Sequence, residues 1–89
     1  MDIEIDVFED VPMELSSNGS AYRLTIDGEP VPANPKRAFN KSLSWFTTFA
    51  SAVEATAKYL NVETHEIGWV AVFDSNDNIT GWNGYLRSA

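Results

Sequence analysis

No cysteine occurs in these 89 residues, which removes disulfides and thiolate metal sites together. A domain this small that holds together without disulfides suits a reducing compartment. Basic residues are scarce: six against thirteen acids, for a net charge of −7, and the first of them is Arg23. Contacts to phosphate need clustered Lys and Arg, so neither direct nucleic-acid binding nor an anionic membrane surface is expected. Long apolar runs are missing too. None approaches the roughly 18 residues that span a bilayer. The acidic N-terminus lacks the basic and apolar regions of a signal peptide. A soluble, cytoplasmic protein is the expectation.

Catalytic motifs are equally thin. The single histidine, His65, has Glu63 and Glu66 as neighbours, and such a trio reads as a solvated helix-to-strand connection. Asp74-Ser75-Asn76-Asp77-Asn78 resembles the first half of an EF-hand loop. It fails at the sixth position, Ile79 where Gly is needed, and at the twelfth, Tyr85 where Glu is needed. A polar hairpin turn is the simpler reading. The serines lack a nucleophile elbow, and Gly81 and Gly84 fall within a strand rather than at a helix N-terminus. The sequons at Asn18, Asn40 and Asn78 lie in turn-rich segments with no secretory signal before them. No catalytic, cofactor or metal residue is expected, and a non-enzymatic protein is.

What is present is enough to fold. A hydrophobic fraction of 44% and eleven aromatics suit one domain over residues 1–89. DIEIDVF, residues 2–8, alternates with period two and predicts a strand with one buried face. Asn18-Gly19 suits a type I′ turn. A hairpin closed there pairs Leu15 with Tyr22, Met13 with Leu24 and Val11 with Ile26, and sets Glu14 opposite Arg23. Asp27-Gly28 signals a second turn, after which Pro30 and Pro32 confine the chain to an edge or loop. Residues 33–41 form a basic connection.

Residues 43–60 fit a helix on a 100° wheel, with Ser42 or Asn40 as its cap and Asn61 as its end. A shorter helix over 52–60, with Ser51 and Glu54 as a capping box, is the alternative. IGWVAVFD and ITGWNGYL, joined by residues 75–78, form a closing hairpin with Trp69, Ala71, Phe73, Trp82 and Leu86 on one face and Val70, Val72 and Tyr85 on the other. The class is α+β: a single antiparallel sheet of about four to five strands packed against one long helix.

Charge and aromatic bulk supply the site candidates. Asp2, Glu4 and Asp6 sit about 7 Å apart along one strand face, with Glu9 and Asp10 extending the acidic stretch. One reading is a solvated strand whose charges block edge-to-edge aggregation. The other is a row of acceptors for Lys and Arg on a basic protein partner, including one that itself handles nucleic acid. One helix covers one sheet face, so the closing hairpin leaves bulk to be shielded or docked. That makes Trp69, Trp82 and Tyr85 candidate anchors.

In size, charge and class the chain resembles the small acidic phage-encoded proteins that inhibit bacterial defence systems, of the anti-CRISPR and anti-restriction type. The likeness spans the chain without a motif, so it assigns no residue; it implies inhibition by binding. The alternative is a homo-oligomeric structural or accessory protein whose apolar C-terminal hairpin face closes a dimer.

Overall fold

The computed structural model describes residues 1–11, 19–33 and 45–87. Five strands, β1 (Ile3–Glu9), β2 (Ser20–Ile26), β3 (Glu29–Val31), β4 (Ile67–Phe73) and β5 (Ile79–Leu86), form one sheet in the order β3-β2-β1-β5-β4. All its pairings are antiparallel. A single helix, α1 (Phe49–Leu60), precedes a 3-10 turn at Thr64–Glu66 and packs on one face. The α+β class and the single antiparallel sheet are as the sequence predicts. The helix is not long.

DIEIDVF forms the central strand rather than an edge, so its acids cannot serve to guard one. Ile3 and Ile5 point under the helix and are buried, as are Leu24 and Ile26 opposite them on β2. With Phe46 and Ala52 they make the core, flanked by Tyr22, Phe49, Val53, Leu60, Trp69 and Trp82.

The first hairpin is a correction. β2 pairs with β1, Ile3 to Ile26, Ile5 to Leu24 and Val7 to Tyr22. Its other edge is taken by β3 and by a bridge from Phe46 to Tyr22. Met13, Leu15, Ser17 and Asn18 lie outside the described residues, as does Glu14. The places offered to Val11, Met13 and Leu15 beside Ile26, Leu24 and Tyr22 are filled, and Arg23 stands opposite Asp6 instead of Glu14. In sequence, residues 3–9 and 11–17 have matching alternation and either could be offered to β2. The more regular Ile3-Ile5-Val7 set took it.

The second turn holds: Asp27 and Gly28 both adopt positive φ, 53° and 83°, the geometry of a type I′ turn. It delivers β3, whose Pro30 sits on an edge strand as expected.

The helix begins later than the wheel suggests. Residues 40–44 lie outside the described residues, Trp45 is not helical, and Phe46 is tied to the backbone of Tyr22 by two hydrogen bonds of 2.8 Å. Thr48, in an extended conformation, caps the helix by accepting from the Ser51 N–H at 3.1 Å. Neither the long helix with Asn40 or Ser42 as cap nor the short one capped by Ser51 is correct. Aromatic and β-branched residues at 45–48 are poor helix formers and good strand formers, and burial of Phe46 satisfies either period.

The C-terminal end is as expected. Asn61 is left-handed at φ 58°, and Val62 N–H reaches back to Ala57 O at 2.9 Å, a Schellman closure. Thr56, the polar residue on the apolar arc, is fully buried, and its hydroxyl donates to Ala52 O at 2.8 Å.

The closing hairpin keeps its expected register, Trp69 to Gly84, Ala71 to Trp82 and Gly68 to Tyr85, with a bulge near the tip. Asp74 organises that tip, its Oδ1 accepting from the N–H groups of Asn76 at 2.8 Å and Asn78 at 3.0 Å. These bonds hold its carboxyl below the ordinary value. The polar-turn reading of this loop is what the hydrogen bonds describe.

Candidate functional site

Among the described residues, α1 covers one face of the sheet and no helix covers the other, and strand alternation assigns each strand residue to the helix-covered or the helix-free face. On β1 the helix-free face carries Asp2, Glu4, Asp6 and Phe8. The register lays two cross-strand rows through it: Val70, Asn83, Glu4, Thr25 and, one step along, Val72, Gly81, Asp6, Arg23. Neighbouring strands are about 4.8 Å apart. Glu4 therefore stands about 10 Å from Val70, close enough for one partner surface to meet both.

Asp2 and Glu4 are exposed, and Asp6 is half-buried. Asp2 is positioned by Asp27, whose Oδ1 accepts from the Asp2 N–H at 2.9 Å while its own N–H donates to Asp2 O at 2.7 Å. Beside the acids lie exposed apolar groups: Val70 at 56%, Tyr85 at 50% and Val72 at 39%. At the far end Phe8 meets Trp45 edge to face, centroids 4.6 Å apart. The small, fully buried Ala21 sits opposite Phe8.

The structure thus separates the predicted residues. Asp2, Glu4, Asp6 and Tyr85 share the helix-free face. Glu9 falls by alternation on the other face, and Asp10 leaves the strand with a left-handed φ of 57°; both are exposed, but neither extends the row. Trp69 and Trp82 lie under the helix, half-buried, in an aromatic cluster with Phe49. The ring centroids are 4.2 Å from Phe49 to Trp82 and 5.8 Å from Phe49 to Trp69. The Trp69 indole N–H is buried with no hydrogen-bond partner among the described residues.

Two glycines missed as structural receivers explain how the closing hairpin carries so much aromatic bulk. In the register, Gly68 faces Tyr85 and Trp69 faces Gly84, so each aromatic ring lies over the other strand's glycine, on opposite sheet faces. A Cβ at Gly84 would meet Trp69 Cζ3 at 2.8 Å, and one at Gly68 would enter the Tyr85 ring. The repeated Gly-aromatic dipeptides at 68–69 and 84–85 were the sequence signal for this exchange.

Among the described residues no group of three or more His, Asp or Glu could hold a metal ion, and no helix is long and apolar enough to cross a membrane. His65 is exposed, and Glu66 accepts from the Glu63 N–H at 2.7 Å, a local turn contact. No family model, curated protein or solved structure matches this chain.

Proposed function

We propose that the chain acts by binding rather than catalysis, with the helix-free sheet face as the docking surface for a basic protein partner. The observation that carries this reading is the placement of Asp2, Glu4 and Asp6 on the same helix-free face as exposed Val70, Val72 and Tyr85. Acids supply long-range attraction and orientation, while the apolar strip supplies area that a partner can desolvate. Arg23 on β2 and, by alternation, Arg87 just past β5 are basic residues at the margins of this face.

In its most specific form the partner is a bacterial nucleic-acid-handling defence complex, whose Lys- and Arg-rich surface is chemically suited to the acid row. The chain is then a phage- or mobile-element-encoded inhibitor. Size, charge and class support that form. Its test is the plating of a restricted phage on bacteria expressing the chain. Plating should rise with the wild type and stay low with Asp2→Lys/Glu4→Lys; equal plating with both would reject the acid row as the inhibitory element. At the level of association, raising salt should slow complex formation more than it speeds dissociation.

A further inference from the structure

The two edges of the sheet are protected very differently. β3 is three residues long, carries Pro30 and Glu29, and the strand behind it is also bridged by Phe46. β4 is seven residues, IGWVAVF, with no charge and no proline. It is the outermost strand, and β5 is its pairing partner among the described residues. Arg87 N–H to Glu66 O at one end and Asp74 N–H to Asn78 O at the other show that the even-numbered residues face β5. The backbone groups of Trp69, Ala71 and Phe73 therefore point outward from the sheet. Three side chains of this strand, Val70, Val72 and Phe73, are exposed at 56%, 39% and 57%. Protected edges carry charge, proline or short strands; this one has none of them.

We infer that β4 pairs with β4 of a second copy, antiparallel about a two-fold axis at Ala71, joining two sheets into one. This register satisfies all three outward residues: Ala71 faces its own equivalent, and Trp69 faces Phe73. It also sets Val70 beside Val72 on the helix-free side, covering the exposed groups with one another. A strand without charge is compatible with its own copy, as an isologous contact requires. The net charge of −7 opposes association of two chains, and Glu66 and Asp74, which flank β4, are the acids nearest the seam; the row of Asp2, Glu4 and Asp6 lies on and beside β1. In the joined sheet the two β1 strands are five strand spacings apart, about 24 Å, against a screening length of about 8 Å at physiological salt. The contact is edge to edge and leaves Asp2, Glu4, Asp6 and Tyr85 free, but it shares Val70 and Val72 with the proposed docking face, so it is tested on the chain alone, without a partner.

Sedimentation of the whole chain over a wide concentration range, at low and high salt, tests this. Wild type should move from one chain mass to two as concentration rises, and the transition should shift to lower concentration as salt increases. Val70→Lys/Val72→Lys alters exposed groups and places like charges opposite each other across the two-fold; it should remain at one chain mass with its circular dichroism unchanged. Ala71→Pro removes an outward donor rather than a ladder bond to β5 and should act likewise. In hydrogen exchange, the Trp69 and Ala71 amides should be protected in concentrated wild type and fast in the lysine variant. A wild type at one chain mass throughout, a dimer that persists in the folded variants, or a dimer that weakens with salt would overturn the proposal.

Discussion

The two faces of one sheet show how far a single strand can be divided. Along β1, Ile3 and Ile5 are 2% and 0% exposed beneath the helix, while Asp2 and Glu4 on the reverse are exposed to solvent. Burial of the first pair fixes the register of the whole sheet, because a slip of one residue would drive carboxylates into the core. The second pair, exposed to solvent, is then held at a defined spacing by the same strand. Charge is placed by packing on the opposite side. That division leaves the acid row open for the docking proposed above.

Substitutions on opposite sides of the same strand should differ most. Ile5→Ala should lower unfolding free energy by about 3 kcal/mol through lost burial and a residual cavity, whereas Glu4→Ala should change it by no more than about 0.5 kcal/mol. Denaturant melts of both variants would check it, and comparable losses would show that the faces are not distinct. The exchanged glycines sharpen it further. Gly84→Ala pushes Trp69 and Ile3 within the core and should cost about 1–3 kcal/mol. Gly68→Ala pushes Tyr85, which is half exposed and free to swing outward, so its thermal midpoint should fall less. Tyrosine fluorescence should respond in the second variant and tryptophan fluorescence in the first.

The smallest effect lies at the hairpin tip between the two faces. The N–H groups of Asn78 and Asn76 hold the Asp74 carboxyl below its ordinary 3.8, so the folded state favours the ionised form. That contribution is complete above the ordinary carboxylate value and disappears as pH falls through the lower folded-state value. Asp74→Asn should therefore flatten the acid side of a plot of Tm against pH while leaving its shape near neutrality intact.

Legibility followed period and turn chemistry. Ile3, Ile5 and Val7 announced one face, Asp27-Gly28 announced a turn, and the register of residues 67–72 with 81–86 followed from the hairpin loop. Strand partnership was not legible, because residues 3–9 and 11–17 present the same alternation to β2 and only the assembled sheet chooses between them. The start of the helix was obscured for a related reason. Phe46 lands on the buried side of a helical wheel and also of the bridge to Tyr22, and its neighbours Thr47 and Thr48 fit an extended cap better than a helical turn. Within the site, the acid row could be read directly. The fate of the tryptophans depended on which face the helix takes, and hydrophobic bulk on both faces of the closing hairpin gave no means to decide.

The most direct test of the helix-free face compares two baits with the same change in net charge. Asp2→Lys/Glu4→Lys reverses two exposed acids on that face; Glu54→Lys/Glu63→Lys reverses two exposed acids on α1 and in the connection after it. Each is used beside wild type to capture proteins from a bacterial lysate at low salt, with the folded state of every bait checked by circular dichroism. A basic protein should be retained by wild type and by the Glu54/Glu63 variant and lost from the Asp2/Glu4 variant. Equal retention by both variants, equal loss from both, or no specific capture by wild type would contradict the proposed docking.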